Sequence, residues 1–125
     1  MSKTKRSDFP SPAHDPSFSD RESVIRNVDV INGLRGHLLG ATELPSDISN
    51  KVSPGAFDYL SSDEGREMVG KWFAAFASTI GLVQQARNEL VHGATRPSDE
   101  DLREVADAST HILESLFVRA DRKSR

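Results

Sequence analysis

A guanidinium, an amide and an imidazole fall close together in the run Gln85-Ala86-Arg87-Asn88-Glu89-Leu90-Val91-His92-Gly93. These types suit the cleavage of RNA through its own 2'-hydroxyl, a reaction that needs a proton acceptor, a proton donor and a cation for the charge of the phosphorane. Histidine as a residue type titrates near ~6.5 and serves as base or acid at cellular pH. Arginine supplies bidentate phosphate contacts and stabilises developing charge, while the Asn88 amide is placed to orient the imidazole or hold a phosphate oxygen. The chemistry calls for no metal and no cofactor. Asn88 and His92, four apart, share one helical face, whereas Arg87 and His92, five apart, stand about 140° around an ideal helix. A long arginine side chain or an unwinding last turn before Gly93 is needed to bring them to one phosphate. A single histidine does not readily act as acid and base in one step, so a symmetric dimer joining two Arg87/His92 sets would complete the machinery.

Arg87 also stands where the surrounding pattern calls for an apolar side chain. Val69, Phe73, Phe76, Ile80, Val83, position 87 and Leu90 alternate steps of four and three, the spacing of one helical face. A guanidinium buried there without partners would cost several kcal/mol. Arg87 therefore either pairs inside the fold or opens into a polar cleft beside Asn88 and His92.

The element that must position these residues is a helix from about residue 62 to 92, a stretch without proline. Ser61-Ser62-Asp63-Glu64 offers a capping box at its start, and Gly93 is placed as its C-terminal cap. Met68 and Trp72 widen its apolar face. A second line on the helix holds Gly70, Ala74, Ala77, Gly81, Gln85, Asn88 and His92, small residues that turn polar toward the end. Two interior glycines cost about 2 kcal/mol in propensity, a cost that close approach of another helix offsets. That helix belongs either to a second copy or to the same bundle.

Elsewhere the pattern is also helical. Ser19-Asp20-Arg21-Glu22 matches a capping box, with Val24, Val28, Ile31 and Leu38 as an inner face and an end near Leu39. Arg35 occupies the slot between Ile31 and Leu38, facing inward or snorkelling to solvent. Pro45 and Pro54 interrupt residues 41–62, where Ser53-Pro54 suits the start of a short helix carrying Phe57 and Leu60. A last helix begins at Ser98 with Asp99, Glu100 and Asp101 in its first turn, and Arg119, Arg122 and Lys123 near its end, the favourable polarity. Leu102, Val105, Ala106, Ser109, Leu113, Leu116 and Phe117 form its inner face. With no strand pattern and no internal repeat, the expected architecture is all-α: a compact bundle of three long helices plus a short one.

At 125 residues the chain fits one domain. We assign residues 1–18, rich in proline, serine and charge, to a disordered tail, 19–120 to the bundle and 121–125 to a basic C-terminal tail. The absence of cysteine excludes disulfides and thiolate chemistry and suits a reducing cytoplasm. No apolar run approaches the roughly 20 residues of a membrane span, and no signal peptide is evident, so a cytoplasmic protein is expected. Residues 1–18 carry +1 and residues 119–125 carry +3, so the total of -3 leaves -7 on residues 19–118. That balance argues against a broad electrostatic nucleic-acid surface; RNA contact must be local or use the tails. His37 and His111 lack a carboxylate at ligand spacing, there is no glycine-rich phosphate loop and no G-x-S-x-G nucleophile, and the aromatic spacing reads as core rather than as a stacking platform.

Arg87-Asn88-Glu89-Leu90-Val91-His92 resembles the R-x4-6-H signature of HEPN domains, including the polar residue after the arginine. The glycine that follows, the short loop at 94–97 and the amphipathic helix from Ser98 resemble that family as well, over residues 68–118. The resemblance implies a dimeric helical bundle, often a metal-independent endoribonuclease of toxin-antitoxin, phage-defence or RNA-processing systems, with an antitoxin or a nucleotidyltransferase-type protein as partner. By analogy Arg87 and His92 would be catalytic and Asn88 supporting. Family members that keep the fold without catalysis imply the alternative, a helical module that binds a partner protein or a nucleotide.

Overall fold

Serine hydroxyls set the start of most helices. In the computed structural model, which describes residues 19–41, 43–93 and 97–124, Ser19 caps α1 (Asp20–Leu38), Ser53 caps α2 (Pro54–Ser61), Ser62 caps α3 (Asp63–Ala75) and Ser98 caps α5 (Asp99–Lys123). Each hydroxyl accepts from an otherwise unpaired first-turn amide, an interaction that contributes about 1 kcal/mol. The Ser19 box is complete, with the Glu22 carboxylate returning to the Ser19 amide. The box at 61–64 is not: Ser61 is the last residue of α2, and Ser62 accepts from Gly65, which has no side chain to reciprocate.

The uninterrupted helix expected over residues 62–92 is two helices, α3 and α4 (Ala77–His92), separated at Phe76, whose φ of -112° and ψ of 23° leave the helical region. No proline or glycine stands at the break. An unbroken helix there would run about 46 Å, well past the roughly 37 Å of α5, and would leave one end without a core. Ser78, Thr79 and Gly81 are weak helix formers just beyond the junction. The break lets α3 pack on α2, α1 and α5, while α4 packs on α5 and α1. Residues 41–62 contribute a 3-10 turn, Ser46–Asn50, that buries Ile48 fully.

Trp72 is the centre of the main core. It is fully buried, donates from Nε1 to the Ile112 carbonyl at 2.8 Å, and meets Phe73 edge-on at 4.9 Å. Ile31, Leu34, Ile48, Leu60, Leu113 and Leu116 are buried in the same cluster. A smaller cluster of Val24, Val28, Val83 and Ala106 lies beyond, with Leu90, Leu102 and Val105 against it. Between α1 and α5, Asn27 Nδ2 donates to Ser109 Oγ at 2.8 Å and Thr110 Oγ1 at 3.2 Å, so this buried amide fixes the register of the two helices. The described residues thus form an all-α helical bundle with five α-helices and no strand. None of these helices is long and apolar enough to cross a membrane. The 1–18 tail lies outside the described residues, and α5 stays helical through Lys123, past the boundary drawn at residue 120.

Candidate functional site

On α4 the stripe residues Ile80 and Val83 are buried as their spacing predicts, and Ala86, outside the stripe, is buried beside them. Arg87 follows them and leans onto α1. Its Nη2 stands 3.8 Å from Asp29 Oδ1, beyond hydrogen-bond distance, with side-chain exposures of 30% for Arg87 and 62% for Asp29. Its Nε is buried and has no partner. One turn earlier Gln84 Nε2 donates to Asn32 Oδ1 at 2.8 Å. Arg87 therefore belongs to a polar seam in which Asp29 and Asn32 of α1 face Arg87 and Gln84 of α4. Asp29 escaped sequence reasoning; the available signal was two polar residues three apart on each helix, a match visible only once the helices are known to be neighbours.

Asn88 and His92 lie on the exposed side of α4. The helix remains regular through His92, and the Gly93 cap donates to the Glu89 carbonyl at 3.0 Å from extended backbone, φ -77° and ψ 151°. The last turn does not unwind. Within one copy Arg87 and His92 consequently stay on different sides of the helix, one at the α1 seam and one in solvent. Asn88 and His92 share a face. The loop residues 94–96 that follow lie outside the described residues.

The small-residue line resolves into two parts. A Cβ added at Gly70 would sit 3.5 Å from Leu38, ordinary packing within the bundle, whereas a Cβ at Gly81 would meet nothing within 4 Å. Ala74, Ala77, Gly81, Gln85, Asn88 and His92 are all exposed, so among the described residues no helix of the same copy covers this face. Leu39 and Leu82, exposed at 74% and 65%, flank it. A groove of about 460 Å³ runs alongside, floored by Phe73, Ile80 and Leu38.

Arg35 is exposed and lies over the Phe73 ring, 5.2 Å from its centroid, the solvent-side alternative with its cation held by an aromatic face. His37 is buried with Nε2 3.1 Å from the Leu60 carbonyl, and His111 is exposed and lines a different cavity. Trp72 is sealed in the core, and Phe73 and Phe76 are half-buried against it. Arg87, Asn88 and His92 line none of the four cavities described, which measure about 540, 460, 320 and 350 Å³. Comparison with protein-family models, with curated proteins and with solved structures finds no match for this chain.

Proposed function

We propose that this protein is a metal-independent endoribonuclease of HEPN type, a cytoplasmic toxin or defence effector that acts as a homodimer. The observation that carries the reading is the uncovered face of α4, on which Ala77 and Gly81 lead directly to Asn88 and His92. Two copies packed through that face near Asn88 would set each His92 about 6 Å along the helix from the two-fold axis. The pair then spans one phosphodiester, one imidazole taking the 2'-hydroxyl proton while the other protonates the leaving oxygen. Arg87 flanks the contact. Its loose pairing with Asp29 leaves Nη donors for a non-bridging phosphate oxygen. An antitoxin or nucleotidyltransferase-type partner would act by covering or occupying this cleft.

The test is RNA cleavage by the purified protein in EDTA. The expected products carry 2',3'-cyclic phosphate ends, and Arg87→Ala and His92→Ala each lower the rate ~10²-fold or more while the fold persists. Gln85→Arg, exposed on the same face one turn from Asn88, separates the dimer and abolishes cleavage. Intact RNA across varied substrates, with both alanine variants behaving as wild type in cells, overturns the reading. The Arg87 to Asp29 contact favours a second reading, a non-catalytic module that binds a partner protein or nucleotide; strong destabilisation by Arg87→Ala with no change in any RNA assay would select it.

A further inference from the structure

A second chemically equipped place lies where residues 43–44, α2 and the start of α3 meet the end of α1, apart from Asn88 and His92. A cavity of about 320 Å³ is lined there by His37, Glu43, Leu44, Phe57, Ser61 and Arg66. His37 is only 4% exposed, and its Nε2 stands 3.1 Å from the Leu60 carbonyl oxygen. A carbonyl can only accept, so Nε2 carries a proton, and in that tautomer Nδ1 is the ring's acceptor. Among the described residues Nδ1 has no hydrogen-bond partner. Arg66 reaches Asp63 only at 3.6 Å, through Nη1, and its Nε is buried without a partner. Glu43 makes no ion pair among the described residues. Arg66 and Glu43 thus line one cavity without pairing with each other, and Leu44 and Phe57 supply an apolar wall beside them.

This wall offers one cation, one carboxylate and one ring nitrogen. A polyanion would be repelled by Glu43, and a simple anion would leave Glu43 and Nδ1 unused. We propose that the cavity binds a small zwitterion of the amino-acid class. Its carboxylate lies on the accessible Nη donors of Arg66, its ammonium donates to Glu43 and to Nδ1 of His37, and its apolar side chain packs on Phe57 and Leu44. The volume is at the low end of ligand pockets, ~300 to 1,000 Å³, as an amino acid rather than a nucleotide requires. The site is independent of the nuclease reading.

Calorimetric titration of the full chain with each of the twenty L-amino acids tests it, with N-acetyl and amide forms of the best ligand and with inorganic phosphate as comparisons. At least one free amino acid binds with Kd below ~1 mM, and blocking either its amine or its carboxylate weakens binding at least ~10-fold. Glu43→Gln, an exposed change that leaves the fold intact, weakens the free amino acid ~10-fold and leaves its N-acetyl form unaffected; Arg66→Gln weakens both the free and N-acetyl forms. The proposal is overturned if no amino acid binds, if the blocked forms bind equally well, if phosphate binds more tightly than any amino acid, or if Glu43→Gln has no effect.

Discussion

Replacing Arg87 with leucine separates a functional cation from a structural one. The substitution removes a pair with Asp29 that is 3.8 Å long and whose carboxylate is 62% exposed, and such pairs contribute about 0 to 1 kcal/mol, here toward the lower end. It also removes the buried Nε–H that has no partner, a liability of about 1 to 3 kcal/mol where water is fully excluded. The leucine continues the stripe set by Ile80 and Val83, though the arginine methylenes already cover part of that surface, so the added burial is worth ~1 kcal/mol at most. Because Arg87 keeps 30% exposure, the Nε penalty belongs at the bottom of its range. The balance is neutral to about 2 kcal/mol in favour of Arg87→Leu, a melting temperature unchanged or raised by up to ~8 °C for a domain of this size. Urea unfolding and thermal scans followed by circular dichroism read the stability, and RNA cleavage by the same preparation is expected to be lost, the stability-for-activity exchange of a functional site. A loss of more than ~2 kcal/mol at unchanged m value would refute the reasoning, since it would make the Asp29 contact part of the fold's own framework. Asp29→Asn is the control, with an expected change below ~0.5 kcal/mol.

Trp72→Phe gives up the Nε1 bond to Ile112 and leaves a void at a fully buried position; a loss of about 2 to 3 kcal/mol by urea denaturation is expected. Asn27→Ala removes the donor shared by Ser109 and Thr110 and costs about 1 to 3 kcal/mol in the same assay, with Ser109→Ala/Asn27→Ala coupled rather than additive. Gly81→Ala, open on every side, raises stability by about 0.5 to 1 kcal/mol, whereas Gly65→Ala forces a Cβ onto the Tyr59 carbonyl and the Leu60 backbone and lowers it by more than ~2 kcal/mol, a contrast readable by thermal scans.

Helix starts, inner faces and the all-α class are local properties, and they were legible in the sequence because a serine cap and a 3.6-residue period act through neighbouring backbone amides and one side of one helix. Ser19, Ser53 and Ser98 begin their helices as read, and Val24, Val28, Ile31, Leu113 and Leu116 are buried as read. The break at Phe76 was illegible because no local breaker marks it; it depends on how much core lies beneath each half of residues 62–92. The 3-10 turn that buries Ile48 was illegible because its five residues have no side-chain cap and are too few to show a period. At the candidate site, sequence determined that an arginine interrupts an apolar face and that Asn88 and His92 share another. Tertiary structure decided that Arg87 meets Asp29 across the α1 seam, that the Ala77 to His92 face is left uncovered, and that the last turn stays wound. The physical reason is the same in each case: a spacing fixes which side of a helix a residue occupies, and only the packing of helices far apart in the chain fixes what that side meets.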